Sequence, residues 1–218
     1  MASVQQTIFG LRDEHIAEGL NEESIPSDPL GLFESWLGEA VSRELPSANA
    51  LHLATTGPDG RPSGRIVLLR GYDERGLVFY SNYESRKGKE LKANNNAAMT
   101  FFWDALFRQI RVEGKVHMLP PAESDEYFSS RPRESRIGAL ASEQSRVLGD
   151  RNILEQRINE LEEKFSNAEP ERPSYWGGYY LVPLYYEFWQ GRDHRLHDRI
   201  VFRRKDVGAN WETARLYP

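Results

Sequence analysis

Hydrophobic positions change their period along this chain. Leu32, Phe33, Trp36, Leu37, Ala40 and Val41 recur at helical spacing. Asp28 and Pro29 precede them, an N-cap residue and a proline suited to the first helical position, so a helix is predicted to open there and to end over 45–48. From Ala50 onward the apolar runs shorten and are punctuated by Gly or Asn. Ala50–Thr56, Ser63–Arg70, Leu77–Asn82, Ala97–Trp103 and Phe107–Met118 are predicted strands, rich in Val, Ile, Leu and Phe. Gly57-Pro58-Asp59-Gly60 is a turn by composition, and the short connections favour antiparallel pairing. Ser85–Asn94 reads as a short helix between strands, and Pro121–Ser130 as another, stopped by Arg131-Pro132. Asp150–Phe165 is the clearest helix, with Leu154, Ile158, Leu161 and Phe165 forming a packing stripe. Strands near Tyr179–Gln190, Asp198–Arg204 and Trp211–Leu216 complete the pattern. About eight strands with helices between them predict a mainly β, α+β architecture, an antiparallel barrel with peripheral helices.

Composition narrows the function. The 218 residues suit one domain, expected over 28–218, preceded by a polar, acidic arm over 1–27. There is no cysteine, which excludes disulfides and thiolate metal sites and fits a reducing, cytoplasmic setting. No secretory signal and no membrane-length apolar run is visible. The net charge of −5 is uneven: residues 1–48 hold two basic residues against nine acidic ones. An acidic balance argues against nucleic-acid binding, whereas basic clusters within it read as pockets for small anions. His194 and His197 are poor evidence for a metal, because the other histidines, at 15, 52 and 117, are scattered.

The candidate chemistry lies in basic residues beside apolar strands. Arg65-Ile-Val-Leu-Leu-Arg70 brackets core-type residues with charge. A half-buried guanidinium needs a partner, either a carboxylate on a neighbouring strand such as Glu113 or a bound phosphate or flavin edge. Tyr80-Ser-Asn-Tyr-Glu-Ser-Arg-Lys87 leaves a strand for a helix start, where free N–H groups and the dipole suit phosphate. Arg108-Gln-Ile-Arg-Val-Glu-Gly114 alternates, which puts Gln109, Arg111 and Glu113 on one face. Ser129-Ser-Arg-Pro-Arg-Glu-Ser-Arg-Ile-Gly138 supplies a second basic and hydroxyl cluster after Tyr127, read either as a second phosphate site or as a solvated loop. Trp189 and Arg195-Leu-His-Asp-Arg199 combine an aromatic platform with guanidinium groups and an imidazole; in a regular strand, 195, 197 and 199 would share a face.

In this order, together with Ser-Glu-Gln-Ser, Trp-Gly-Gly-Tyr, Glu-Phe-Trp-Gln-Gly and the closing Arg215-Leu-Tyr-Pro218, these stretches resemble the pyridoxamine 5′-phosphate oxidase family from about Leu11 to Pro218. The resemblance implies an FMN-binding split β-barrel and a homodimer with sites across its interface. It implies oxidation of pyridoxamine or pyridoxine 5′-phosphate to pyridoxal 5′-phosphate, with O2 as acceptor and H2O2 as product. By matching position, FMN contacts would fall on Arg65, Ile66, Val67, Leu68, Leu69, Arg70, Tyr80, Ser81, Arg86, Lys87, Gln109, Gln144, Ser145, Trp189 and Arg199. Substrate contacts would fall on Tyr127, Arg131, Ser135 and Arg70, and on Arg195, Leu196 and His197, with Arg195 and His197 near the oxidised carbon. Arg12 and His15 would belong to a lid. Two positions depart from the family pattern: lysine is usual at Arg70, and tyrosine is frequent at His15. A non-catalytic FMN or pyridoxal-phosphate carrier and a split-barrel flavin reductase are the alternative readings. The Tyr127, Arg131 and Ser135 cluster weighs against the reductase, and Arg195 with His197 against the carrier.

Overall fold

A computed structural model of the chain describes residues 19–21 and 25–218. Arg12, His15 and most of the expected arm therefore lie outside the described residues. The described residues fall into two compact units interleaved along the chain. One comprises Asn49–Thr100 and Val112–Leu184; the other comprises Phe101–Arg111, Tyr185–Pro218 and the described residues up to Ala48. The architecture is the expected one, an antiparallel β fold with peripheral helices, and the described residues form nine strands where about eight were expected.

In the first unit, β1 (Ala50–Thr56) pairs with β2 (Pro62–Leu68) from Ala50↔Leu68 to Thr56↔Pro62, across the turn the sequence predicts. Gly60 makes that turn possible: its φ is +75°, a region closed to most side chains, and its N–H donates to Gly57 O at 3.0 Å. A short β3 (Gly71–Asp73) pairs with β4 (Gly76–Asn82). The strand expected to run on to Arg70 stops at Leu68. Arg70 instead donates its N–H to Val78 O at 2.9 Å, and β2 comes back against β4. Strands β5 (Asn96–Trp103), β6 (Arg108–Met118) and β7 (Trp176–Gln190) lie between, giving the order β2-β1-β5-β6-β7-β4-β3. With β2 returned to β4, the sheet curls toward a barrel. Leu51, Leu53, Leu77, Phe79, Met99 and Val112 fill it, each no more than 1% exposed.

Helix α2 (Arg86–Ala93) follows β4, with Ser85 as N-cap accepting from Gly88 N–H. Helices α3 (Pro121–Ser130), α4 (Arg133–Ala141) and α5 (Arg151–Lys164) form the periphery. Helix α4 corrects the reading of this segment as a possible loop. Arg131-Pro132 ends α3, as expected, but the same proline then opens a new helix, whose Ser135 and Arg136 N–H groups bond to Pro132 O. The α5 stripe packs against α4 but is only half-covered.

The second unit has an aromatic core. Helix α1 (Pro29–Ser42) begins at Asp28, whose side chain caps Leu30 N–H at 2.9 Å. Phe33 meets Phe101 edge-on at 5.5 Å, Trp36 meets Phe188 at 5.4 Å, and Phe188 meets Phe202 at 5.8 Å. Strand β7 pairs with β8 (Asp198–Arg203), which pairs with β9 (Glu212–Arg215). Pro183 sits where β7 changes partner: its β4 register ends at Leu181 and its β8 register begins at Tyr185. A proline there falls outside both of these registers. Phe107 does not begin β6 as expected; it takes a left-handed conformation, φ +51°, at the end of the turn before the strand.

Candidate active site

The predicted residues separate into one group in each unit. In the first unit they form two neighbourhoods. One surrounds the start of α2. Lys87 Nζ donates to Gln144 Oε1 at 2.7 Å and to Ser81 Oγ at 3.1 Å. This brings together residues 63 positions apart, and a cavity of about 390 Å³ is lined by Arg86, Glu90, Gln144 and Ser145 among others. Ser145 lies in the left-handed region, φ +73°. The loop entering α2 is tight: a Cβ on Gly88 would lie 2.2 Å from Tyr83 O. Burial, and secondarily the charge of Arg65, lower the Lys87 pKa to about 8.

Arg65 does not meet Glu113. It reaches Glu90 instead, Nη2 to Oε2 at 3.0 Å, and its Nη1 donates to Thr55 Oγ1 at 2.6 Å and Leu53 O at 3.0 Å. Helix α2 carries a carboxylate back against the β1–β2 pair, a contact that strand alternation does not reveal. Burial disfavours the charged form of Glu90. Hydrogen bonds from Ser63, Thr55 and Arg86, and the charge of Arg65, outweigh it, and its pKa falls to about 2. Of the segment after Arg65, Ile66 and Leu68 are exposed, Val67 is half-buried and Leu69 is buried.

The second neighbourhood is an aromatic stack with a guanidinium on it. Tyr80 and Tyr127 are parallel at 3.7 Å, and Tyr80 lies 5.5 Å from Trp176. Arg131 sits over the Trp176 ring at 4.6 Å. Among the described residues, Arg131 Nη1 is buried without a hydrogen-bond partner. Burial lowers the Arg131 pKa, and Arg70 and Arg136 push the same way. A buried guanidinium nitrogen with further cations beside it suits an anionic ligand. Ser135 stands in the first turn of α4, and Tyr80 has its pKa raised to about 12, chiefly by burial. Trp176 was not singled out by sequence reasoning, although the Trp-Gly-Gly-Tyr motif contains it.

In the second unit, Glu187 is 2% exposed and accepts from Arg199 Nε at 2.9 Å, Arg199 Nη2 at 3.1 Å, Arg111 Nη1 at 3.1 Å and Tyr185 Oη at 3.0 Å. Burial works against its charge, but these partners win and hold its pKa below the usual carboxylate value. Gln109 is half-buried one position before Ile110. Trp189 lies 4.6 Å from the His197 ring. The expected common strand face of 195, 197 and 199 is absent. Strand β8 begins only at Asp198, and Arg195 belongs to a turn, Asp193–Arg195, in which His194 and Arg195 have φ of +56° and +61°. Left-handed conformations in non-glycine residues cost about 1–2 kcal/mol each and cluster at functional sites. This turn leaves Arg195 and Leu196 exposed and His197 half-buried. Asp198 ties the region down, accepting from Arg192 Nη1, Leu20 N–H and Arg215 Nη1.

Comparison with known proteins agrees over nearly the whole length. Residues 37–165 match a family model described as pyridoxamine 5′-phosphate oxidase, and residues 176–218 match one described as the pyridoxine 5′-phosphate oxidase C-terminal dimerisation region. The chain is 52% identical over 208 residues to a pyridoxine/pyridoxamine 5′-phosphate oxidase of Cupriavidus pinatubonensis, covering 95% of this chain and 97% of that one. It is 46% identical to one from Trichormus variabilis, covering 99% and 100%. Among solved structures, PhzG from Burkholderia lata 383 in complex with tetrahydrophenazine-1-carboxylic acid is similar with a TM-score of 0.84 at 34% identity, covering 90% of this chain and 95% of that one. A pyridoxamine 5′-phosphate oxidase-related, FMN-binding protein from Nostoc punctiforme shares the fold, with a TM-score of 0.67 at 20% identity, covering 85% and 97%.

Proposed function

We infer the function from one premise: the chain belongs to the pyridoxamine 5′-phosphate oxidase family. On that premise it is an FMN-dependent oxidase that converts pyridoxamine or pyridoxine 5′-phosphate to pyridoxal 5′-phosphate, with O2 as electron acceptor and H2O2 as product. The observation that carries the substrate class is Arg131. Its buried, unpartnered Nη1, stacked on Trp176 beside Tyr127, fits an oxyanion of a phosphorylated ligand.

The chain also fits FMN. Arg86, Lys87 and Ser81 gather at the start of α2 with Gln144, a donor set suited to the cofactor phosphate. Gln109 has an amide suited to a flavin ring edge, and Trp189 and Arg199 are further family positions for the cofactor. FMN, when bound, supplies the two-electron chemistry that a protein side chain cannot.

The chain's own groups bind and orient. Arg131, Tyr127 and Ser135, with Arg70 nearby, hold the substrate phosphate far from the reacting carbon, where fixed orientation contributes most to rate. Arg195, held in its strained turn, orients the substrate ring. His197 offers a hydrogen bond beside it, and Leu196 contributes apolar contact. The dimerisation region over residues 176–218 supports a homodimer.

The visible spectrum of the purified protein, taken before and after anaerobic addition of pyridoxamine 5′-phosphate, tests this reading. Bound oxidised flavin that bleaches on addition and recovers with oxygen is the expected result. A protein that takes up no FMN, or whose flavin is not bleached, overturns it. PhzG, solved in complex with a fused-ring carboxylic acid, introduces a second ligand class. The Arg131 cluster and the higher identity to the phosphate oxidases favour the phosphorylated substrate.

A further inference from the structure

Glu90 is a buried carboxylate within a cluster of cations that the proposed reaction leaves unexplained. Its side chain is 8% exposed, and its two oxygens are divided. Oε2 accepts from Thr55 Oγ1 at 2.6 Å, Ser63 Oγ at 2.6 Å and Arg65 Nη2 at 3.0 Å. Oε1 accepts from Arg86 Nε at 2.8 Å. One residue of α2 thus ties that helix to both β1 and β2. It holds Arg86 by Nε, while that side chain stays 66% exposed, which leaves the Nη groups for a ligand.

We propose that Glu90 is a positioning residue for the phosphate of the cofactor, aiming Arg86 and fixing Arg65. This assignment rests on the FMN reading given above. An apolar residue in place of Glu90 would leave Arg65 half-buried without its carboxylate. Glutamine at this position keeps the shape but turns an N–H2 group toward a guanidinium, which has no acceptor to offer it.

The test compares FMN with riboflavin, which has the same ring and no phosphate. In Glu90→Gln, the dissociation constant for FMN is expected to rise about tenfold or more, with riboflavin binding changed less than about twofold. The 31P resonance of bound FMN should shift from its wild-type position, a readout that general loosening of the fold does not selectively move. Ser63→Ala removes one bond to Glu90 and one from Arg65 while leaving every charge in place. It should show the same bias toward FMN loss at smaller size, and it serves where Glu90→Gln does not fold. Equal losses of FMN and riboflavin, or unchanged FMN binding with an unshifted 31P line, overturn the role of Glu90 alone. Wild-type protein that binds no FMN, or binds riboflavin equally well, overturns the functional reading and this assignment with it.

Discussion

The backbone N–H of Arg192 donates to Nδ1 of His197 at 3.0 Å. Nδ1 therefore carries the lone pair, and the ring proton of the neutral imidazole resides on Nε2. Burial, then the charge of Arg195, lowers the His197 pKa below 6.5, which keeps that tautomer neutral at pH 7. His197 is thus a hydrogen-bond donor through Nε2. His197→Gln, which places an amide N–H2 near the Nε2 position, should retain more turnover than His197→Asn, which preserves only the acceptor for Arg192. Turnover in the Asn variant is expected to fall about 100-fold, and steady-state oxygen consumption measures the difference. Equal rates in the two variants would refute the tautomer assignment.

The same shift has a stability consequence. In the window just below pH 6.5 the unfolded chain binds more protons at this histidine than the folded one, so its contribution to stability falls as the solution is acidified through that window. Thermal melts of wild type and His197→Gln should converge as the pH drops from neutral toward 5.

Glu187 serves two guanidinium groups. Removing its charge in Glu187→Gln takes away the carboxylate that Arg111 and Arg199 share, at a residue 2% exposed. Breaking such an arrangement costs about 3 kcal/mol or more, or a drop in Tm of roughly 6–12 °C for a chain of this size. Its lowered pKa means the stabilisation is complete above about pH 4.5 and is lost as acid protonates the folded carboxylate below it. A variant that melts with wild type near pH 7 would show the cluster to be energetically neutral.

Lys87 links cofactor binding to protons. With its pKa lowered to about 8, it is partly neutral in the empty protein at mildly alkaline pH, and an arriving phosphate dianion would recharge it. FMN binding near pH 8–9 should take up protons and weaken as pH rises through that window, while riboflavin binding does neither. Calorimetry in buffers of different ionisation enthalpy counts the protons. Without ligand the sign reverses: between about pH 8 and 10.5 the unfolded chain holds more protons, and this lysine's contribution to stability rises with pH.

Trp176 underlies Arg131 at 4.6 Å. Such cation–π contacts contribute about 0.5–2 kcal/mol, and phenylalanine is a weaker platform than tryptophan. Trp176→Phe should therefore raise KM for pyridoxamine 5′-phosphate by about threefold to tenfold, with kcat little changed. Unphosphorylated pyridoxamine should show no such KM effect; a shared effect would locate the role of Trp176 in packing.

Much of this was legible in the sequence, and the failures have causes. Strands β1, β4, β5 and β6 announce themselves because Val, Ile, Leu and Phe alternate between punctuating glycines and asparagines. Helix α4 was left open because Arg131-Pro132 signals a stop, and the same proline at a helix start gives no separate signal. The carboxylate partner of Arg65 is Glu90 rather than a strand neighbour such as Glu113, because Glu90 is a neighbour only after α2 folds back, 25 positions along the chain. The supposed common face of Arg195, His197 and Arg199 failed because two non-glycine residues take positive φ, which no residue type there advertises. What local pattern cannot carry is pairing across long separations, such as Ser81 with Gln144.

The interleaving of the two compact units bears on inheritance. The chain passes between them four times, and neither unit corresponds to one uninterrupted stretch of coding sequence. A recombination event that moved residues 112–184 would carry Arg131 and Trp176 but abandon Glu90; one that moved 185–218 would carry Glu187 and Arg199 but abandon Arg111. Neither unit can therefore be exchanged whole by moving a single uninterrupted stretch of the chain.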